Sequence, residues 1–235
     1  LVQNTVAAKL NNCRTILKKA LHDHPDIDAE NKISAFLEYL SNAINQVYSV
    51  EDIDTIRGIE GFCAKGYFDC FNYLILQPDD FLMQERTKRP PLDRTNALLS
   101  FLYSIYTCDC ASALEGAGLD SYIGFYHALR PGRCSLACDI VEEIRCLVER
   151  AVLTLINLKI VSKKDFDIEV SGATFLNSEG RKKVLAFWQE RKRTQLTHPY
   201  LKEKIPFGLL PYVQANLLAK FERGDLDEYP SFILQ

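Results

Sequence analysis

The chain has 235 residues with 28 Lys and Arg against 31 Asp and Glu, a formal net charge of -3, which argues against the basic domain usual in nucleic-acid proteins. Its 47% hydrophobic and 25% charged residues exclude a disordered chain and suit one large folded domain or two small ones. No apolar run reaches the roughly 20 residues of a bilayer span, and Leu1-Val2-Gln3-Asn4 lacks the features of a secretory signal, so the sequence reads as soluble and cytoplasmic.

In chain order, Val2, Val6, Leu10, Cys13, Leu17 and Leu21 form one apolar stripe that predicts a helix ending near His24-Pro25. A second stripe, Ile33, Phe36, Leu37, Leu40, Ile44 and Val47, follows the polar lead-in Asp28-Ala29-Glu30-Asn31. A third helix is expected from Ser49 as N-cap, with Glu51 and Asp52 in the first turn, through Ile53, Ile56, Glu60, Cys63 and Tyr67. Residues 77 to 93, with three prolines and three cations, read as a polar connection. Helical pattern resumes from Arg94 to Glu115 and stops at Gly116 and Gly118, then runs from Ser135 to about Lys159. Phe166 to Phe175 suits one hairpin, and two further helices are expected over 178 to 194 and 208 to 223. The expected class is all-α, a multi-helix bundle-like domain with at most one small β-hairpin.

Charge is unevenly spread. Residues 145 to 204 hold 13 Lys and Arg against seven Asp and Glu, with Arg181-Lys182-Lys183 and Arg191-Lys192-Arg193 on one predicted helix around Phe187 and Trp188. Such a helix is either a solvated face over an apolar stripe or a surface that tracks phosphates. A second cationic patch is Arg86, Lys88, Arg89 and Arg94.

Asp139 and Glu142 lie three residues apart, so a helix projects both from one face, with His127 just upstream. Glu60 is a carboxylate in the middle of an apolar helix, costly there unless paired or coordinated. Carboxylates with one imidazole suit Mg²⁺ or Mn²⁺; the plain alternative is a surface acidic pair and a hydrogen-bonded histidine. Cys108, Cys110, Cys134 and Cys138 around His127 offer a rival zinc set, but the first pair sits in an apolar helix, and buried thiols are the better reading of all eight cysteines. His22, His24 and His198 suggest nothing further. Phosphate-loop, serine-elbow and His-Glu-x-x-His patterns are absent.

Four separated segments resemble a known family. They are Arg57-Gly-Ile-Glu60-Gly-Phe-Cys-Ala-Lys-Gly-Tyr67-Phe, Lys88-Arg-Pro-Pro-Leu-Asp-Arg-Thr-Asn96-Ala-Leu-Leu-Ser, and Gly124-Phe-Tyr-His127 through Asp139-Ile-Val-Glu142-Glu-Ile-Arg145. The fourth is Gly172-Ala-Thr-Phe-Leu-Asn-Ser-Glu-Gly-Arg-Lys-Lys with His198-Pro-Tyr-Leu. In this order they are similar to the CRISPR-associated integrase, in its type I-C branch.

The resemblance implies a metal-dependent DNA endonuclease and integrase that inserts spacer DNA by 3′-hydroxyl attack on a phosphodiester. It implies that Glu60, His127 and Glu142 ligate Mg²⁺ or Mn²⁺ and that Asp139 is a catalytic acidic partner beside them. The partners it implies are DNA (protospacer and repeat), a smaller CRISPR adaptation subunit and a second copy in a homodimer, with no membrane. Family members carry Asp or Glu at the position of Glu142, whereas Cys146 departs from a common proline. They also begin with a β-rich domain, so residues 1–235 are expected to be the α-helical catalytic domain without that upstream part, as the missing initiator methionine also suggests. Arg89, Arg94, Arg130, Arg133 and Arg145 flank these motifs and are expected to approach DNA phosphates. Two other readings stay open: a helical DNA-binding or assembly module without catalysis, and a redox-iron bundle, which is weakened by the single histidine and the lack of Glu-x-x-His.

Overall fold

A computed structural model describes residues 1–28 and 30–234; Ala29 of the polar lead-in lies outside the described residues. Each apolar stripe becomes a helix: α1 (Val2–Asp23), α2 (Lys32–Ser49), α3 (Ile53–Phe71), α5 (Arg94–Gly116), α6 (Ser135–Asn157), α7 (Ser178–Arg193) and α8 (Leu210–Glu222); the single turn α4 (Pro78–Phe81) lies in the expected connection and was not predicted. The expected mostly helical class holds.

Boundaries follow capping chemistry. Ser49 is not the cap of α3 but the last residue of α2. The cap is Asp52, whose carboxylate accepts from Thr55 N at 2.8 Å. α5 closes with Gly118 in the left-handed region (φ +81°), where Gly118 N–H bonds Glu115 O and Leu119 N–H bonds Leu114 O at 2.9 Å. Those two bonds satisfy carbonyls that the helix end would leave bare.

Two hairpins flank α7. β1 (Phe166–Ile168) pairs antiparallel with β2 (Thr174–Leu176), as expected, and β3 (Gln195–Thr197) pairs with β4 (Lys204–Pro206), which was not expected. The connection from 77 to 93 is polar as expected but tied down. Asn96 accepts from Thr87 N and from Arg86, and its amide donates to Glu85 O.

α5 lies at the centre, packed against α6 on one side and α8 on another, while α1 packs on α2, α3 and α6. By length and composition α5 is apolar enough to cross a membrane, contrary to the reading of the sequence. In the fold it supplies core residues such as Leu98, Leu99, Leu102, Tyr106 and Leu114. Tyr106, Trp188 and Phe207 meet in an aromatic cluster with ring centroids 5.4 to 5.7 Å apart, which joins α5, α7 and the turn before α8.

Among the described residues all eight cysteines are free; Cys13, Cys63, Cys70, Cys110 and Cys146 are buried, but Cys108 is exposed and Cys134 and Cys138 are half-buried. Buried thiols thus describe five of the eight. His198 also differs from its reading as an uninformative polar residue. It is fully buried, takes Leu201 N–H on Nδ1 and bonds Gln214 Oε1 at 2.8 Å through Nε2. Gln214 continues to the buried Glu143, which also accepts from Tyr229 OH and Phe232 N–H and so anchors the C-terminal segment on α6. Burial pushes the Glu143 carboxyl up to about 7.

Candidate active site

Four elements converge at one end of α6. α1 brings Lys9, α3 brings Glu60, the loop between α5 and α6 brings His127, and α6 itself brings Asp139, Glu142 and Arg145. The i, i+3 spacing of Asp139 and Glu142 puts both on the face of α6 that meets this loop.

Asp139 is fully buried and spends its oxygens on the loop. Oδ2 accepts Phe125 N (2.8 Å) and Tyr126 N (3.0 Å), and Oδ1 accepts His127 N (2.9 Å) and pairs with His127 Nδ1 at 2.6 Å. It therefore clamps the loop and turns the imidazole. With Nδ1 protonated toward Asp139, Nε2 keeps its lone pair and faces Glu142 Oε1 at 3.9 Å.

Gly124 makes this close approach feasible. A Cβ there would sit 2.6 Å from Asp139 Oδ2 and 2.9 Å from the Ser135 backbone. Gly124→Ala is thus expected to push the loop off Asp139 and lower activity by about 10–100-fold, the usual cost of losing an outer support of a site. A wild-type turnover rate for that variant would show that the clamp is dispensable.

Glu142 is held by Arg145, whose Nη1 lies 2.9 Å from both carboxylate oxygens, and by Lys9 Nζ at 2.5 Å. Burial alone would raise the Glu142 carboxyl, but Arg145 and Lys9 hold it well below the usual carboxylate range. Lys9 also pairs with Glu60. Burial disfavours its ammonium, yet the Glu142 and Glu60 charges outweigh that and raise its pKa. Arg145 continues to Glu149 (3.2 Å) and stacks 4.8 Å from the Tyr103 ring centroid.

The structure thus brings Glu60, His127, Glu142 and Asp139 into one cluster. Among the described residues, however, no three His, Cys, Asp or Glu side chains form a ready metal cage, and the cation between the two glutamates is Lys9. The same holds for the rival set of cysteines with His127. The donor chemistry still fits a hard divalent ion. Two carboxylates converge on one cation, and an imidazole locked by a carboxylate through Nδ1 presents Nε2, the arrangement typical of metal-binding histidines.

Of the expected DNA contacts, Arg89 and Arg130 are exposed and Arg133 is half-buried. Arg94 donates to Asp80 O at 2.8 Å, and Arg145 is engaged by two glutamates, so neither is a free phosphate anchor. On α7 the basic clusters are largely paired: Lys183 with Asp165 (2.7 Å), Lys192 with Asp109 (2.6 Å), Arg193 with Glu190 and Lys182 with Glu179. Trp188 beneath them is fully buried, the apolar side of this helix.

Sequence reasoning missed two residues. Arg57 donates to Tyr126 O at 2.6 Å and lies over the Tyr126 ring, tying α3 to the histidine loop. Lys9 sits on the apolar face of α1 with Val6, Leu10 and Cys13; a lysine in that stripe was itself the signal of a buried acidic partner.

The family described as CRISPR associated protein Cas1 matches residues 1–190. A CRISPR-associated endonuclease Cas1 of Rhodospirillum rubrum is 47% identical over 236 residues, spanning 98% of this chain and 69% of that protein. One of Leptospira interrogans is 43% identical, spanning 99% of this chain and 92% of its own length. Among solved structures, a casposase bound to integration product superposes with a TM-score of 0.83 at 21% identity, covering 97% of this chain and 61% of that one. The Cas1-containing chain of a Cas6-RT-Cas1–Cas2 complex gives 0.83 at 25% identity, covering 100% of this chain and 24% of that one. This chain therefore spans less than two thirds of either structural neighbour.

Proposed function

Since the chain belongs to the CRISPR-associated Cas1 family, we propose that it is a divalent-metal-dependent DNA endonuclease and integrase of CRISPR adaptation. The observation that carries the reading is that Glu60 and Glu142 close on one cation, Lys9, while the Asp139-oriented His127 presents Nε2 3.9 Å from Glu142. Those three residues would hold Mg²⁺ or Mn²⁺. When bound, the ion supplies activation of an attacking hydroxyl and charge stabilisation at a phosphodiester.

The chain's own residues do the rest. Asp139 fixes the imidazole tautomer and holds the backbone of 125–127 in place. Arg145 fixes the Glu142 carboxylate through both of its oxygens and favours its ionised form. Integration by a DNA 3′-hydroxyl needs no protein nucleophile.

Arg89, Arg130 and Arg133 are the cations of the expected set that remain available to phosphate, as ionic contacts that position DNA without reading sequence. Neutralising all three is expected to reduce the slope of log affinity against log salt by about 2 to 3, near 0.9 per lost contact. An unchanged slope would move the interface elsewhere.

The helical unit is the catalytic part in this proposal. A smaller adaptation subunit, protospacer and repeat DNA and a second copy of the chain are its proposed partners; the structural neighbour, a Cas6-RT-Cas1–Cas2 complex, supports the first of these. A second reading, a DNA-binding or assembly module without catalysis, is favoured by one observation: Lys9 already pairs with both glutamates. Incubating the chain with branched DNA and Mn²⁺ separates them. Cleavage or strand transfer supports the proposal, and binding without either supports the module.

A further inference from the structure

Lys9 is outside both the proposed ligand set and the phosphate surface, yet it is the group on which the two glutamates close. The residue is 4% exposed, with Nζ against Glu60 Oε1 and 2.5 Å from Glu142 Oε2. An ammonium buried in this way is tolerated only because it is paired. Without it, Glu60 on α3 and Glu142 on α6 would face each other as like charges between packed helices.

A divalent ion bound by the same carboxylates would need their oxygens at about 2.0–2.2 Å. An ammonium in contact with those oxygens would then lie within a few ångströms of the ion, where like charges repel strongly in a partly dehydrated site. The two cations exclude each other.

We propose that Lys9 is the resident counter-cation of the metal site, holding Glu60 and Glu142 together while no ion is bound and leaving when a divalent ion arrives. The inference rests on the metal reading of this site given above. Metal uptake is then an exchange of one cation for another, and the work of expelling the ammonium weakens the apparent affinity for the ion. It also lets the acidic cluster fold before any ion is present.

Calorimetric titration of Mn²⁺ into the wild-type chain and Lys9→Met tests this. The exchange predicts at least tenfold tighter Mn²⁺ binding in Lys9→Met, with a lower melting temperature in the absence of metal and a larger rise on adding Mn²⁺. A merely structural lysine predicts the opposite sign, a loosened site that binds Mn²⁺ more weakly. Equal or weaker binding in a folded Lys9→Met overturns the inference while leaving the metal site intact. If neither protein binds Mn²⁺ at millimolar concentration, the metal reading itself fails and the inference with it. Should Lys9→Met not fold, acetylation of wild-type Lys9 by an N-hydroxysuccinimide ester, read by peptide mass, decides. Labelling is expected to rise at least fivefold at saturating Mn²⁺, and unchanged protection overturns the exchange.

Discussion

Glu60→Ala and His127→Ala are each expected to lower Mn²⁺-supported DNA cleavage and strand transfer by at least about 10³-fold, equivalent to about 4 kcal/mol of transition-state stabilisation. Neither change should unfold the chain. Glu60 is half-buried and its loss leaves Lys9 paired with Glu142, while His127 sits on a loop that Asp139 still holds through backbone N–H groups. Far-UV circular dichroism and melting should therefore stay close to wild type while single-turnover rates collapse. Asp139→Asn provides the contrast. An amide in place of the carboxylate can no longer accept from three backbone N–H groups and the imidazole together, so a smaller loss of about 10–100-fold is expected. Wild-type rates in both Glu60→Ala and His127→Ala would show that the chemistry lies elsewhere.

Trp188→Ala is expected to cost about 3–5 kcal/mol of stability, the largest single effect on the fold. The indole is fully buried and meets Tyr106 and Phe207 edge-on at 5.7 and 5.4 Å, so truncation opens a cavity at the junction of α5, α7 and α8. Its ring N–H has no hydrogen-bond partner, so the loss is one of packing and not of a bond. For a domain of this size the melting temperature should fall by about 10 °C. Urea denaturation showing less than about 1 kcal/mol would mean that the neighbouring rings collapse into the gap.

The helices could be read from the sequence because each buries one stripe, and 3.6-residue spacing survives ignorance of what the stripe packs against. The hairpin β3–β4 could not: unlike 166–175, where Gly172 marks the turn, residues 195–206 carry two prolines and no glycine, and the order at His198 comes from Gln214, sixteen residues away. Ser49 and Asp52 are both good caps, and only the length of the turn between α2 and α3 chooses between them. At the site, Glu60 was marked by its apolar neighbours, and Asp139 and Glu142 by their spacing, but assigning roles needed the resemblance. Asp139 shows why. Its type and position suit a cation ligand, whereas the hydrogen bonds that occupy it come from backbone N–H groups, which every residue has and no sequence pattern displays. Arg94 and Arg145 were expected at DNA because cations next to a motif suggest phosphates; both are engaged by acceptors from distant or helical neighbours.

The central claim is that Glu60, His127 and Glu142 form a divalent-metal site. Anomalous diffraction from a crystal soaked in Mn²⁺ tests it most directly. The account predicts a single peak within coordination distance of a Glu60 oxygen, a Glu142 oxygen and His127 Nε2, with the Lys9 ammonium moved away. A soaked crystal with no peak there, or with its peak among Cys108, Cys134 and Cys138, would contradict it.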